Sequence, residues 1–414
     1  MSRQNIKKLL VLAGVACLML VQFRAKGNRP DFSDFKVYWL AGAKAIAHHT
    51  VYDVEGHYQY KYSPFVALCW GLPHVLGGSR YFWALAHYAA CALGFLILWY
   101  LCARLLDRER RMGLWMIALV TFSIGLRDEL KLGQANLWPL LLVLPAWLSG
   151  ARPRDARGFD ASGFAIGAAW AFAVQWKLYA LVLGPVWLLR RRWSVFAGAI
   201  AFTLSSLGGA LALVHGSDFA WQENISWLRS LTASSEELLI SQYNVSALGI
   251  FGKWGLKAGL AFGAWAYVLW LMLAGAWGVV LVWSEREAAA RGKTYLVFWS
   301  TSWAWAGIVL LNPLVWPYWL IFCLPLFLAY VHEQTLTRGM RTDAAFFAVV
   351  SVFLLANWLQ NTALVHAGLS FVAVCGLMFD AQRRARRRDG QQLPPFLTLS
   401  RSAVPSTRAG AETP

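Results

Sequence analysis

Ala258–Trp283 reads AGLAFGAWAYVLWLMLAGAWGVVLVW, without one charged side chain. About 20 apolar residues in a helix cross the roughly 30 Å of hydrocarbon in a bilayer, so this run decides the fold class. It lacks the period-two alternation of a barrel strand, which leaves a transmembrane helix. Similar runs recur along the chain. Of 414 residues, 58% are hydrophobic and 14% charged, too apolar a balance for a soluble protein of this length. The expectation is an all-α, polytopic membrane protein.

Charge placement orients it. The net charge is +17, and the basic residues gather in short segments: Arg104 to Arg111, Arg152 to Arg157, Arg190-Arg191-Arg192 and Arg383 to Arg388. That is the positive-inside pattern, and it argues against nucleic acid as the partner of the charge. With these segments cytoplasmic, spans fall near 9–23, 81–103, 113–126 and 135–149. A broken pair follows at 161–175 and 178–189, then 193–214, 258–283, 294–311, 314–331, 343–357 and 362–379. The sum is about twelve spans with both termini inside. Arg3, Lys7 and Lys8 before Leu9–Phe23 resemble a signal peptide, but no small-x-small site follows, so an uncleaved first span is expected. Residues 1–382 form the membrane body, and 383–414 a basic and then disordered tail. The six cysteines show no CxxC and sit in or beside apolar runs, as small core residues do.

Two long segments face outward, about 24–80 and 215–257. Within the first, Pro64–Gly77 is apolar but too short to cross, with Pro64 and Pro73 interrupting it, and reads as re-entrant or interfacial. Ahead of it lies Asp31-Phe32-Ser33-Asp34-Phe35-Lys36-Val37-Tyr38-Trp39. A helix starting near Ser33 puts Asp34, Tyr38, Ala41 and Ala45 on one face. Asp34 at the membrane boundary suits a general base taking a proton from a hydroxyl. Equally, Asp31 or Ser33 caps the helix while Asp34 complements its dipole.

Lys177 lies between two half-length apolar runs. A lysine at the centre of a membrane helix costs on the order of 3 kcal/mol, so it faces a cavity or an anion such as a lipid phosphate; otherwise it marks a turn and snorkels. Arg127-Asp128-Glu129-Leu130-Lys131-Leu132-Gly133-Gln134-Ala135-Asn136 is a polar patch. Gln134 and Asn136 suit sugar hydroxyls and Arg127 or Lys131 a phosphate, unless the patch is an ordinary loop whose ion pairs satisfy one another. In the second outer segment, Gln242 and nearby aromatics offer sugar contacts, although most tryptophans in such a chain anchor an interface. Asn244-Val245-Ser246 fits a glycosylation sequon that is common by chance. Asn312-Pro313-Leu314-Val315-Trp316-Pro317-Tyr318-Trp319 carries two prolines, as a buried irregular segment or a tight hairpin would.

Several of these segments together resemble glycosyltransferase family 87. They are Asp34-Phe35-x-Val37-Tyr38-Trp39, Val51-Tyr52-Asp53, Tyr62-x-Pro64, Gly133-Gln134-x-Asn136, the Lys177 segment ending in Arg191-Arg192-Trp193, and Asn312-Pro313-x-x-Trp316, in that order. The resemblance implies a GT-C-type helical bundle with its active site on the non-cytoplasmic face of a bacterial inner membrane. It implies transfer of a hexose, mannose foremost, from a polyprenyl-phosphate donor to a lipid-linked or glycan hydroxyl, with inversion. Asp34 matches the family's base, with Asp31 beside it. Tyr38, Arg127, Lys131, Gln134, Asn136, Lys177, Gln242, Trp316 and Tyr318 are the candidate substrate contacts. Many members carry histidine just after the tryptophan of the Pro-x-x-Trp segment, where this chain has Pro317, Tyr318 and Trp319. Neither a cofactor nor a metal is expected, because a leaving phosphate needs charge stabilisation first. A lipid-sugar transporter or flippase, and an inactive relative, remain as alternatives.

Overall fold

The structure, a computed structural model, describes residues 30–52, 60–105, 122, 126–149, 160–232, 236–241, 244–291 and 294–328. The expected spans at 9–23, 343–357 and 362–379, most of 113–126, the C-terminal tail and Gln242 lie outside the described residues.

Every regular element among the described residues is helical. In chain order they are α1 (Ser33–Ile46), α2 (Pro64–Leu76), α3 (Arg80–Leu105), α4 (Leu137–Ser149) and α5 (Ala161–Trp176). A 3-10 turn (Leu178–Leu183) leads to α6 (Gly184–Leu189) and α7 (Trp193–Thr203), which runs through a π-helical stretch (Leu204–Ala210) into α8 (Leu211–His215). Then come α9 (Ser217–Thr232), α10 (Glu236–Leu239), α11 (Ala247–Lys257), α12 (Ala264–Arg291) and α13 (Thr294–Leu311). A second 3-10 helix, Pro317–Cys323, closes the described chain together with a helical turn at 324–328. Among the described residues, three stretches are long and apolar enough to cross a membrane: Arg80–Leu98, Trp193–His215 and Ala264–Trp283. This is an all-helical membrane protein.

The break at 176–178 falls where the sequence places it. Lys177 is extended, with φ −147° and ψ 106°, between α5 and the 3-10 turn. Other expectations are corrected. The charge-free run enters its helix at Ala264, because Gly259 at φ 78° turns the chain first. The helix then continues through Glu285, Arg286 and Ala288–Ala290 to Arg291, since these are good helix formers. Pro64 does not interrupt α2 but opens it at the first turn, where its missing N–H costs nothing, and Ser63 Oγ accepts the Val66 N–H at 3.2 Å. At 13 residues α2 spans only about 20 Å. Residues 217–257, expected to face outward, hold three helices, α9 to α11.

Small residues set the closest helix contacts. A Cβ added at Gly167 would lie 1.9 Å from the Val195 carbonyl oxygen, and one at Gly198 2.0 Å from that of Phe164. The backbones of α5 and α7 therefore touch, as in membrane helix pairs built on small residues. Gly42 does the same between α1 and α2, where a Cβ would meet the Trp70 carbonyl oxygen at 2.2 Å. On α12, by contrast, Val268, Leu271, Met272 and Val279 point outward, as a lipid-facing surface does.

Candidate active site

The site begins with the start of α1. Asp31 Oδ1 accepts the Ser33 N–H at 3.0 Å, and Phe32 takes a left-handed backbone with φ 51°. The Asp31 and Phe32 N–H groups both donate to the Lys131 carbonyl at 3.1 Å, which ties the helix start to the polar patch. Phe32 is thus the N-cap and makes no side-chain cap, exposed Asp31 holds the first helical N–H from one residue before it, and Asp34 lies half-buried one turn along. Tyr38, Ala41 and Ala45 are buried, as the helical spacing predicts, and so is Phe35. Tyr38 stacks on Trp70 of α2, centroids 5.3 Å apart and planes at 13°.

The polar patch is not a loop. Residues 126–132 are helical, and Leu126, Glu129 and Leu130 share the buried face. Gly133 then turns the chain at φ 69°, so close to α1 that an added Cβ would lie 2.7 Å from Phe35 Cβ. Glu129 holds the turn that follows. Its carbonyl accepts the Gln134 N–H at 2.8 Å, and its carboxylate accepts the Asn136 N–H at 2.5 Å and the Asn136 side-chain amide at 2.7 Å. Asn136 Oδ1 accepts the Tyr179 hydroxyl at 2.8 Å.

Lys177 comes to the same place from α5. Ser63 N–H donates to the Gln175 carbonyl at 3.0 Å, and Gln175 Nε2 to Ser206 Oγ at 2.7 Å. The first bond sets residues 60–63 against the end of α5 and puts Tyr62 beside Lys177, and the second ties α5 to the π-helical stretch. With 7% of its surface exposed, Lys177 does not snorkel. Its Nζ donates to the Tyr62 hydroxyl at 2.7 Å and to Gln134 Oε1 at 3.5 Å, and lies 4.5 Å from the Tyr62 ring centre.

The donors and acceptors form one directed chain. Lys177 donates to the Tyr62 hydroxyl, which lies 3.1 Å from the Tyr38 hydroxyl. Tyr38 donates to Gln134 Oε1 at 3.3 Å, and Gln134 Nε2 donates to Asp34 Oδ2. Since Tyr38 spends its proton on Gln134, Tyr62 donates to Tyr38, and the chain runs from ammonium to carboxylate. Burial pushes the Asp34 carboxyl above the usual range, against the Lys177 charge and the Gln134 hydrogen bond, which pull it down. Burial likewise pushes Glu129 up to about 7, opposed by Asn136 and Lys177. A raised carboxyl beside a fixed cation is the setting in which a base or an anion site is made.

Asp34, Tyr38, Gln134, Asn136 and Lys177 are therefore brought together. Arg127 is turned to Asp128, 2.8 Å away, and Lys131 enters through its backbone carbonyl. Trp316 is half-buried on the irregular segment before the second 3-10 helix, and Tyr318 lies in that helix with its side chain outside the described residues. The neighbouring Trp319 ring is 5.9 Å from Lys177 Nζ. Glu129, Tyr62, Tyr179 and Trp319 were not among the sequence candidates. Asn244 is fully buried, so it is not open to a glycan. It satisfies the Pro-rich segment instead, donating to the Pro313 carbonyl at 2.9 Å and accepting the Val315 N–H at 2.9 Å. Among the described residues, no three His, Cys, Asp or Glu side chains group as a metal site.

The model of one family, glycosyltransferase family 87, matches residues 60–301, more than half of the chain. The chain belongs to glycosyltransferase family 87 and is a glycosyltransferase by family. The matched range takes in Tyr62, Glu129, Gln134 and Lys177, while Asp34 and Trp316 lie on either side of it. No curated protein matches the chain, and no solved structure does.

Proposed function

We propose that this protein transfers a hexose, mannose foremost, from a polyprenyl-phosphate donor to a hydroxyl of a lipid-linked or glycan acceptor, with inversion, within a GT-C-type bundle of about twelve spans. Residues 1–382 form its body and 383–414 a cytoplasmic tail. Both termini lie inside, and the site faces away from the cytoplasm of a bacterial inner membrane. The observation that carries this reading is the hydrogen-bonded chain from Lys177 to Asp34. A base and a cation in one half-buried cluster are what the reaction requires. Asp34 takes the proton from the acceptor hydroxyl, and the freed oxygen attacks the anomeric carbon. The bond from that carbon to the phosphate oxygen breaks, and the phosphate leaves with the electron pair. Lys177 stabilises the charge that grows on it. Gln134, Asn136 and Tyr38 orient sugar and base, Asp31 holds the start of α1, and Trp316, Tyr318 and Gln242 are further substrate contacts by the family resemblance. Arg127, which pairs with Asp128, and Lys131 stand beside the cluster as further cations for the donor phosphate.

A transporter would place its polar groups between two similar halves at mid-membrane; here they cluster at the start of α1 and the break after α5. The test is radiolabelled transfer from polyprenyl-phosphate-mannose in membranes containing wild type or Asp34→Asn. Wild type is expected to label a membrane acceptor, and the variant to lose about 100- to 10,000-fold. Full activity in the variant would remove Asp34 as base, and no transfer by wild type from a panel of polyprenyl-phosphate sugars would remove the donor class.

A further inference from the structure

Gln134 serves both ends of the site, since its amide nitrogen is on Asp34 and its amide oxygen takes Tyr38 and Lys177. An amide can do this only in one orientation. Turned over, its nitrogen would face the ammonium and its oxygen the carboxylate, and both contacts would repel. The orientation and height of Gln134 therefore decide whether the site is assembled.

What holds Gln134 is a short turn with little support of its own. Gly133 has no side chain and a left-handed backbone. His87 Nε2 lies 2.9 Å from the Gln134 carbonyl, which accepts its N–H. Cys91 Sγ donates to the same carbonyl at 3.7 Å, and further hold comes from Glu129. Its carbonyl fixes the Gln134 N–H, and its two carboxylate oxygens clasp Asn136 by backbone and side chain. Asn136 in turn takes the hydroxyl of Tyr179, two residues after Lys177. Glu129 thus fixes the turn bearing Gln134 to the segment bearing Lys177. A fully buried carboxylate with no ion pair of its own among the described residues is costly to keep. An apolar side chain here would leave the Asn136 N–H and its side-chain amide without their acceptors.

We propose that Glu129 is a positioning residue of the transfer reaction, clasping Asn136 so that the Gln134 amide stays fixed between Asp34 and Lys177. It acts through Gln134 and does not touch the reacting atoms. The proposal rests on Asp34 being the base.

Two kinds of measurement test it. The first needs no donor: the titration of the Asp34 carboxyl, followed by carbon NMR in nanodiscs and assigned against Asp34→Asn. The charged and titrating groups that act on Asp34 and Glu129 are Lys177, Asp31, Tyr38 and Cys91. In Glu129→Ala the Gln134 donor slips, and the Asp34 midpoint moves up. Loss of Glu129 without the slip removes at most a negative charge and would leave the midpoint in place or move it down, so the sign decides. Asn136→Ala, which leaves Glu129 and its bond to the backbone N–H in place but removes the side-chain half of the grip, is expected to move the midpoint the same way by a smaller amount. Glu129→Gln keeps one oxygen for the Asn136 N–H and is expected to move it least.

The second uses polyprenyl-phosphate-mannose as donor. Glu129→Ala is expected to lower kcat on the order of 100-fold with a much smaller change in donor KM. In an Asp34→Asn background it should lower kcat no further, because both changes remove the same contribution. A midpoint that stays or falls in both Glu129→Ala and Asn136→Ala overturns the proposal. So do kcat losses that multiply in the double variant. Where wild type moves no mannose, the donor reading fails on its own, and the titration still decides the role of Glu129.

Discussion

Lys177 and Asp34 are joined through Tyr62, Tyr38 and Gln134, each donating to the next, so the cation and the carboxylate of the site share one hydrogen-bonded line. The line crosses three parts of the chain that are far apart in sequence, with 100 residues between Asp34 and Gln134 and 115 between Tyr62 and Lys177. Its members polarise one another in a common direction. Two predictions about pH and charge come from it.

The Asp34 carboxyl is pushed up by burial, so its ionised, base-competent form is lost at a higher pH than for an ordinary aspartate with its reference value of 3.8. Transfer should rise with pH along an acid limb whose midpoint lies above that value. Rates of radiolabelled transfer between about pH 4 and 8 check this, read as kcat over donor KM. A flat profile down to the ordinary aspartate range would show that Asp34 is not the group being titrated.

Lys177→Met removes the cation and keeps the length of the side chain. The Lys177 charge lowers the Asp34 value, so its loss should shift the acid limb to higher pH. The variant should lose more activity near pH 6 than near pH 8, together with weaker donor binding. Lys177→Arg keeps the charge and should keep the limb in place, even if the bulkier guanidinium fits Tyr62 poorly. Equal losses at both pH values in Lys177→Met would separate Lys177 from Asp34.

The parts of this site that could be read from the sequence are those that violate the apolar pattern. A lysine in a membrane-length run stands out, and so does a carboxylate in phase with Tyr38, Ala41 and Ala45. Glu129 did not stand out, because Arg127 and Asp128 before it give the look of a solvated patch. Only the helical phase it shares with Leu126 and Leu130 marks it as inward-facing. Tyr62 owes its role to Lys177, 115 residues away, and no local pattern records such a pairing. The second outer segment read as a loop because α9 is polar on most sides. Its anchoring groups are single: Glu223 accepts the Val51 N–H at 3.0 Å, and Trp227 Nε1 donates to the Lys61 carbonyl at 3.1 Å. Arg190 was read as one of three cytoplasmic arginines, yet it is buried.

The α5–α7 contact gives a prediction about packing. At Gly167 a Cβ would sit 1.9 Å from a backbone oxygen, which cannot move as a flexible side chain could. Gly167→Ala should force the two helices apart at a cost of about 1–3 kcal/mol. Because α5 delivers Lys177, activity should fall with stability. Gly184→Ala is the control, since its Cβ would lie 3.5 Å from the Trp170 ring, an ordinary contact. It should leave thermal stability in detergent unchanged or slightly raised. Equal melting temperatures for the two variants would show that the helix pair is not set by this close approach.

Arg190 gives the last prediction. Its guanidinium meets Glu285 of α12 in two bonds, Nε to Oε2 at 2.9 Å and Nη2 to Oε1 at 2.7 Å, and Nη2 also donates to Thr301 of α13 at 2.9 Å. The pair is buried and lies at the end of α6, where the segment that starts at Lys177 stops. A buried ion pair adds little net stability over a well-packed apolar pair, but breaking it from one side leaves an unpaired charge. Arg190→Met or Glu285→Leu alone should therefore cost about 3–5 kcal/mol, whereas the double variant should recover most of the loss. Lys does not reproduce two parallel bonds, so Arg190→Lys should fall between wild type and Arg190→Met. Melting of wild type and the four variants in one detergent decides the point. If the double variant is as unstable as the sum of the single ones, the bidentate pair is not what holds α6 to α12.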